Sequence, residues 1–399
     1  MPAEPSAAGP GDHTNPLWGD DWPEVRAMWP LEPTVAHLNH GSYGAVPTPV
    51  LEEQQSWRMR MESNPVRFFN RELPEALDQA RAEVADFLGA GPGSVAFVHN
   101  ATSAASTVLA CFPLEPEEAV LVTDHAYGAV RIAANRWTGD AGARLDTVHV
   151  PLEADGPATA DAVLAAVHPG TRLVILDQVT SPTARRMPLV GLIPELQSRG
   201  VAVLVDGAHA PGMLAVDLDR LGADFWIGNL HKWGFAPRGT AVLHAGDRWR
   251  HLLRPLVSSW REEEGFPGAF SDVGTHDVTA WLSAPRALRV LEHFGLDRLR
   301  RHNVELAVAG QLEVAASLGV APADLPRDPG VSMQLVPLPD GVGTTVAAAA
   351  ALQDRIGERA AVEVAVTTWA GRGFVRLSAQ AYNAPADYRR LAEDLPSLL

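Results

Sequence analysis

The sequence is poor in three features: cysteine, long apolar runs and basic residues. Its single cysteine, Cys111, excludes an internal disulfide and lies in the apolar run 108–112, where we interpret it as a small buried hydrophobe. No apolar run approaches the roughly 20 residues needed to cross a bilayer. Residues 1–12 lack the basic start and apolar centre of a signal peptide. We therefore expect a cytoplasmic protein without a membrane partner.

The deficit of basic residues narrows the choice of ligand. The chain has 32 Lys and Arg against 48 Asp and Glu, which gives a formal net charge of −16. Binding to nucleic acid or to an anionic membrane begins with an excess of positive charge, so we expect neither partner. A small-molecule ligand fits this composition better.

The distribution of apolar residues indicates an α/β fold. Strand-like runs alternate with helical stretches such as 161–167 and 192–199. The runs occupy residues 94–98, 119–123, 144–150, 172–176, 201–205, 224–227 and 239–244. Alternation of this kind predicts a mainly parallel, doubly wound sheet with helices on its faces.

A chain of 399 residues is too long for one compact core and suits two domains. We predict an N-terminal arm that contributes to a small domain (1–49), a large α/β domain (50–270) and a small α+β C-terminal domain (271–399). The Gly/Pro/acidic loop 258–277 marks the second junction. The arm carries Trp18, Trp22 and Trp29 and is expected to dock by burying indoles, as arms that cross to a partner subunit often do.

Two polar residues follow predicted buried strands. Asp206 ends the run 201–205, and Lys232 follows the run 224–227. α/β proteins keep their chemistry at such strand ends. A lysine and a carboxylate placed in this way are what pyridoxal 5'-phosphate requires, since the lysine carries the cofactor as a Schiff base and the carboxylate keeps its ring nitrogen protonated. A surface lysine and a helix N-cap would give the same pattern, and these two residues alone do not separate the alternatives.

A third feature has the character of a phosphate site. The strand-like run 94–98 leads into Asn100-Ala101-Thr102-Ser103, whose small hydroxylated residues open a helix that continues to Cys111. Unpaired amides and hydroxyls at a helix start bind phosphate, although many such starts are only capped ends.

Taken together, the motifs resemble the class V aminotransferase superfamily of fold-type I pyridoxal-phosphate enzymes, nearest its isopenicillin N epimerase-like branch. The likeness runs from about residue 35 to the end of the chain. The motifs occur in order as LNHGSYG (38–44), NAT (100–102), DHAYG (124–128), TSPT (180–183), DGAHAPG (206–212), HKW (231–233), GTHD (274–277) and RLS (376–378). Each motif is weak alone, and the ordered series is specific.

The resemblance implies roles for the residues around the lysine. Lys232 would bond the cofactor and later move the substrate's Cα proton, Asp206 would pair with the ring nitrogen, and His209 would orient Asp206. His231 would adjoin the cofactor. Because Asp206, His209 and His231 have no further ligand at a convincing spacing, we expect no metal site.

The resemblance also implies how the rest of the cofactor is held. Tyr127 would stack on the ring, with His125 as the alternative. Ser181 would lie near the phenolic oxygen, with Gln178 as the alternative. The phosphate would be bound at the start of the predicted helix and by a residue of a neighbouring subunit, which implies a homodimer with shared active sites. The phosphate-binding set is Ala101, Thr102, Ser103, Asn229 and, from the neighbouring subunit, Thr275.

For the substrate, the resemblance implies that Arg376 grips an amino acid's α-carboxylate, a pairing that a guanidinium makes bidentate. The alternative is a surface arginine at a strand end. His40, Ser42 and Tyr43 would also contact the substrate. The chain departs from cysteine desulfurases because no cysteine follows Lys232, so a persulfide mechanism is not expected.

We therefore predict an enzyme that removes the Cα proton of an amino acid. The reaction favoured is β-elimination from a cysteine S-conjugate by a C–S lyase of secondary or sulfur metabolism, because elimination needs only a leaving group on Cβ. Epimerisation, transamination, and decarboxylating or oxidative deamination are the alternatives. A non-catalytic module that binds pyridoxal phosphate is the alternative from another class, since fold alone does not give activity.

Overall fold

The computed structural model describes residues 18, 19 and 21–399. The chain divides into two compact units. The larger comprises Val50–Ser181 and Met187–Val290, and the smaller comprises the described residues up to Pro49 together with Pro182–Arg186 and Leu291–Leu399. The second junction therefore lies later than the predicted residue 270, because the helical stretch that begins at Thr279 belongs with the larger unit.

The helices and strands are numbered in chain order. The strands are β1 (Ala36–His37), β2 (Val95–Val98), β3 (Ala119–Thr123), β4 (Arg144–Val148), β5 (Thr171–Asp177), β6 (Ala202–Asp206), β7 (Phe225–Asn229), β8 (Ala241–Ala245), β9 (Met333–Pro337), β10 (Val362–Glu363), β11 (Ala365–Trp369) and β12 (Arg372–Ser378). The helices are α1 (Trp22–Ala27), α2 (His40–Tyr43), α3 (Thr48–Ser63), α4 (Pro65–Arg67), α5 (Leu73–Phe87), α6 (Ala101–Cys111), α7 (Gly128–Asp140), α8 (Gly156–Ala166), α9 (Leu189–Ser198), α10 (Leu218–Leu221), α11 (Asp247–Arg250), α12 (Thr279–Leu282), α13 (Ala284–Phe294), α14 (Leu296–Ser317), α15 (Val346–Ala360) and α16 (Pro385–Leu398). None of the described helices has the length and hydropathy that a membrane crossing requires.

In the larger unit, the described strands form a seven-stranded sheet in the order β2-β8-β7-β6-β5-β3-β4. Neighbours from β4 to β7 pair in parallel, and β8 runs antiparallel to both β7 and β2. Strands β3, β6 and β7 are buried along their whole length, which explains why the sequence shows continuous apolar runs rather than alternation. The predicted α/β fold with a mainly parallel sheet is confirmed.

Parallel pairing brings the carboxyl ends of several strands to one edge of this sheet. Asp177 ends β5, Asp206 ends β6 and Asn229 ends β7. The register pairs Asp177 directly with Asp206. Three polar residues far apart in sequence therefore meet at one edge, and Lys232 follows in the next loop.

In the smaller unit, β11, β12 and β9 form an antiparallel sheet, and β1 pairs with β10 in parallel. Local apolar patterns at residues 331–337, 373–378 and 296–318 predict β9, β12 and α14, and no such pattern marks β11, α15 or α16. Apolar residues of α14, α15 and α16 share one core with the sheet, including Leu306, Leu352 and Leu391.

The described part of the N-terminal arm packs within its own chain. Trp18 and Trp29 are buried, with ring centroids 5.3 Å and 5.8 Å from that of Phe294. Trp29 also lies against Tyr382, at 5.4 Å. The arm therefore uses these two indoles inside the smaller unit, and they are not available to anchor it on a partner subunit.

Candidate active site

Lys232 lies in the loop that follows β7, and its side chain is enclosed. The residue is 9% exposed, and its Nζ lies 3.3 Å from His209 Nε2 and 6.0 Å from the ring centroid of Tyr127. The alternative of a surface lysine is therefore wrong. The amine instead sits between an imidazole and an aromatic ring at the carboxyl edge of the sheet.

Trp233 decides which nitrogen of His209 carries the proton. Its indole Nε1–H donates to His209 Nδ1 at 3.3 Å, so Nδ1 is an acceptor and the neutral ring carries its hydrogen on Nε2. That hydrogen faces Lys232 Nζ. An N–H donor in this position suits an uncharged lysine nitrogen, which is the state that bonds a carbonyl or accepts a proton. These two contacts join the His209 ring to Lys232 and Trp233, and its predicted role in orienting Asp206 stays a prediction.

Close packing of two loops holds this arrangement. A Cβ at Gly212 would lie 2.1 Å from the carbonyl oxygen of Trp233, and the backbone of Gly212 has a φ of +88°. Only glycine avoids that collision and adopts this conformation without strain. The loop that carries His209 can therefore approach the loop that carries Lys232.

Asp206 is buried at the end of β6, and no described helix begins there, so the N-cap alternative is wrong. Its Oδ1 accepts a hydrogen bond from the backbone N–H of Ala208 at 3.0 Å. Burial raises the pKa of Asp206, and the Ala208 amide and the charge of Lys232 partly offset that effect. A buried carboxylate near a lysine suits a protonated ring nitrogen.

Asp177 is a site residue that the sequence reasoning missed. It pairs in register with Asp206, so the two side chains lie on the same face of the sheet. Gln178, one residue later, is the predicted alternative to Ser181 near the cofactor's phenolic oxygen. The Oε1 of Gln178 accepts from the indole Nε1–H of Trp226 at 2.9 Å. Trp226 precedes Ile227, which is the register partner of Asp206, so the Trp226 and Asp206 side chains lie on opposite faces of the sheet. Because side chains alternate along a strand, Gln178 is directed to the opposite face.

Hydrogen bonds within the protein already occupy some of the backbone amides at the start of α6. Asn229 Oδ1 accepts from the Ala101 amide at 2.9 Å, and Asn100 Oδ1 accepts from the Ser103 amide at 2.8 Å. These bonds occupy two amides that were predicted to bind phosphate. In the described part of the chain, the amide and hydroxyl of Thr102 have no hydrogen-bond partner. Among the predicted residues at the start of α6, Thr102 thus keeps its amide and hydroxyl available for a phosphate, while Asn229 ties α6 to the end of β7.

The ring-stacking residue is better placed at position 127 than at 125. Tyr127 precedes α7, is 43% exposed and directs its ring toward Lys232. His125 is fully buried, and its Nε2–H donates to the carbonyl of Val150 at 2.7 Å. His125 therefore supports the strand ends, and Tyr127 remains the predicted stacking residue.

The three remaining predicted cofactor residues, His231, Ser181 and Thr275, differ in burial and in their contacts. His231 Nδ1 donates to the carbonyl of Thr240 at 3.0 Å, and burial and the charge of Lys232 lower the pKa of His231 to about 4. It is therefore neutral near pH 7 and fixes the lysine loop against the start of β8. Ser181 is half-buried after β5, and Thr275 is exposed in the loop before α12. The cofactor contacts of Ser181 and Thr275 stay predictions.

In the smaller unit, Arg376 is buried in the middle of β12. Its Nη2 donates to Ser42 Oγ at 3.2 Å and lies 3.5 Å from Asn39 Oδ1. The alternative of a surface arginine is wrong. An enclosed guanidinium held by neutral side chains can accept a carboxylate as an additional ligand.

The neighbouring predicted substrate residues differ in position. His40 is buried, with Nδ1 2.9 Å from the hydroxyl of Tyr382 and Nε2 3.4 Å from Gln380 Nε2. Its ring nitrogens are thus engaged within the core, and a substrate contact is not supported. Tyr43 is 71% exposed, and Ser42 contacts Arg376, so both can take part in binding.

The described residues fit pyridoxal 5'-phosphate. An enclosed lysine, a buried carboxylate and a helix start with an unpaired amide lie at the same sheet edge, and Asp177 Oδ2 is buried without a partner among the described residues. The sequence holds one further signal: Lys232 is the single lysine of the chain, and every other basic residue is arginine. A cofactor bound to a lysine side chain has only this attachment point.

Comparison with known proteins agrees with this geometry. The family model of aminotransferase class-V matches residues 42–391. Isopenicillin N epimerase of Streptomyces clavuligerus is 32% identical over 95% of this chain and 98% of its own length. A probable L-cysteine desulfhydrase of Arabidopsis thaliana is 29% identical over 92% of this chain and 84% of its own. The solved complex of the cystine C–S lyase C-DES with cysteine persulfide has a TM-score of 0.79 at 19% identity, covering 91% and 97% of the two chains.

Proposed function

Since this chain belongs to the aminotransferase class-V family, we propose that it is a C–S lyase that cleaves a cysteine S-conjugate by β-elimination. The reaction converts the conjugate and water into a thiol, pyruvate and ammonia. We place it in sulfur or secondary metabolism in the cytoplasm. The observation that carries the proposal is the chain of contacts from Trp233 through His209 to Lys232.

The family membership makes pyridoxal 5'-phosphate the cofactor and the protein an enzyme. When bound, the cofactor withdraws the electrons left at Cα when a proton is removed. Lys232, Asp206, Thr102 and Tyr127 are the residues that we propose hold it. Lys232 would supply the attachment nitrogen and Asp206 the partner of the ring nitrogen. Thr102 would donate hydrogen bonds to the phosphate, and Tyr127 would stack on the ring.

The chain's own residues account for the proton transfer. Lys232 Nζ faces the Nε2–H of His209, so it has an available electron pair and can take the Cα proton as a general base. The indole of Trp233 prevents His209 from presenting its other tautomer. Lys232 and His209 can then supply the protons that the departing thiolate and the product require. Arg376 is proposed to bind the substrate carboxylate.

Elimination is favoured over epimerisation because it needs a single base and a leaving group on Cβ. Two of the similar proteins are named for C–S or desulfhydrase chemistry. Epimerisation is the second candidate, since a 32% identical relative is an epimerase and Tyr127 could act as an acid on the face opposite Lys232.

Incubation with S-substituted cysteines in deuterated buffer tests the reaction. We expect pyruvate and free thiol in equal amounts, because loss of the Cα proton expels the sulfur. The Lys232→Ala variant is the control, because any thiol and pyruvate that it releases measure the contribution of unbound cofactor. The measurement combines a thiol assay, a pyruvate assay and mass spectrometry of the remaining substrate.

Other outcomes identify other reactions. Deuterium at Cα with inverted configuration and no pyruvate would refute elimination in favour of an epimerase, and a keto acid that keeps the sulfur would indicate transamination. Release of carbon dioxide would contradict the role of Arg376. If added amino acids left the visible absorption of the holoenzyme unchanged, the protein would be a binding module.

We also propose a homodimer. Leu256, Val257 and Trp260 are each at least half exposed in the loop region that leads to Thr275. A cavity of about 310 Å³ beside this region is lined by apolar residues of the same unit and by polar ones that include His99, Ser103 and Thr275. A second copy of the chain would cover this surface and bring Thr275 toward another site.

The dimer can be tested by changing Trp260, which is 89% exposed. We expect Trp260→Glu to shift the sedimentation coefficient toward the monomer and to weaken cofactor binding. Ile132→Glu, at an exposed apolar residue of α7, is the matched control and should sediment like the native protein. A native protein that stays monomeric and fully active at nanomolar concentration would exclude the dimer.

A further inference from the structure

Two buried carboxyl groups stand side by side at the carboxyl edge of the larger sheet. Asp177 and Asp206 end adjacent parallel strands and are register partners, 2% and 3% exposed. Neighbouring strands lie about 4.8 Å apart, and paired residues project from the same face. The function proposed above uses only Asp206, so Asp177 has no role in it.

The hydrogen bonds of the two groups are unequal. Asp206 accepts from the Ala208 amide. Asp177 accepts from its own backbone N–H and from that of Tyr127, and its Oδ2 is buried without a hydrogen-bond partner in the described part of the chain. An ionised carboxylate oxygen in that position would lose its hydration without any compensation, whereas a protonated oxygen could donate to a neighbouring acceptor.

The charges around the pair do not balance two negative groups. When its amine is protonated, Lys232 is the cation whose charge acts on both carboxyl groups. After β3, Asp124 is engaged by His149 Nδ1 and by the amide of Val150. Other titratable groups on the neighbouring strand-end loops are His125 and Tyr127 after β3, His209 after β6 and His231 after β7. Two adjacent buried carboxyls with one lysine therefore retain a proton between them.

Asp177 is the group that keeps this proton. Burial, and then the charge of Asp206, raise the pKa of Asp177 well above its usual range. For Asp206, the Ala208 amide and Lys232 favour the ionised form. The unpartnered Oδ2 of Asp177 and the larger rise in its pKa thus favour a neutral Asp177 beside an ionised Asp206.

We propose that Asp177 is a positioning residue that stays protonated and donates a hydrogen bond toward Asp206, so that the pair presents one negative charge to the ring nitrogen of the cofactor. The proposal depends on the cofactor contact assigned to Asp206. It does not depend on which reaction follows.

The Asp177→Asn variant tests the proposal through stability. A carboxyl whose pKa is raised in the folded protein stabilises the fold least at high pH, because stability is lost as pH rises from the unfolded pKa of about 3.9 toward the folded value. Asparagine keeps a donor and does not titrate. We expect the melting temperature of the Asp177→Asn holoenzyme, relative to the native holoenzyme, to rise between pH 5 and pH 8. Asp161→Asn, which neutralises an exposed carboxylate on α8, should show no such rise.

Cofactor affinity gives a second readout that needs no turnover. We expect Asp177→Asn to bind pyridoxal 5'-phosphate within about threefold of the native protein, and Asp177→Leu to bind about tenfold more weakly because the donor to Asp206 is lost. Asp177→Asn melting lower by the same amount at both pH values would overturn the proposal. So would equal losses of affinity in the two variants. If Asp177→Leu does not fold, the pH comparison decides alone, and neither result bears on the lyase reaction.

Discussion

The Lys232→Ala variant is expected to lose the visible absorption of the bound cofactor and at least about a thousandfold in turnover, the scale found when a catalytic nucleophile or base is removed. The effect should be near total because the chain has no second lysine to replace the missing amine. The enclosed position beside His209 also prevents a solvent amine from taking its exact place.

Reduction with borohydride makes this prediction specific. Treatment of the native holoenzyme should add one cofactor mass to the single peptide that contains Lys232, and the alanine variant should show none there. Lys232→Arg keeps the positive charge but forms no bond with the cofactor, so it serves as the matched control and should resemble alanine. Full turnover by either variant on any substrate would show that Lys232 has been assigned wrongly.

The Asp206→Asn variant is expected to lose about 10²- to 4 × 10³-fold in kcat/KM, since removing one partner of a buried charge pair costs about 3–5 kcal/mol and each 1.4 kcal/mol is tenfold. The amide cannot hold the proton on the cofactor's ring nitrogen. The visible band should shift as well, because the ring loses its positive charge.

Asp224→Asn provides the comparison for Asp206. Asp224 is also a buried carboxylate, placed just before β7, where it accepts from Arg248, from the indole of Trp249 and from the Val203 amide. Its loss should lower the melting temperature and leave the absorption spectrum unchanged. If Asp206→Asn behaved in the same way, Asp206 would have a structural role only.

Much of the larger unit could be predicted from the sequence. Strands such as β3 and β6 are buried on both faces, so their apolar runs stand out without any knowledge of their neighbours. The positions of Lys232 and Asp206 after such runs followed directly. The ordered motifs identified the class V family, which the family comparison confirms together with its cofactor.

The smaller unit was harder to predict, for a physical reason. Helix α15 begins with a run of alanine and valine whose apolar spacing is weak, and β11 pairs only with β12. Helix α15 packs against β11 and α16, and its apolar residues share a core with those of α14 and β9. Helices α14 and α16 are separated from α15 in sequence by other segments. Local patterns therefore carry little information about them.

By itself, the sequence determined the strand ends, the attachment lysine and its carboxylate, because these depend on local apolar runs and on residue type. The tertiary structure decided which side chains share a face and what each one contacts. Gln178 and Asp177 differ by one residue, and the register of β5 with β6 directs only Asp177 toward Asp206. Trp233 aims His209 at Lys232, and Asn229 takes the Ala101 amide, through contacts that span 24 and 128 residues of chain. Side-chain direction reverses at every residue of a strand and is fixed by distant partners, so no local pattern specifies it.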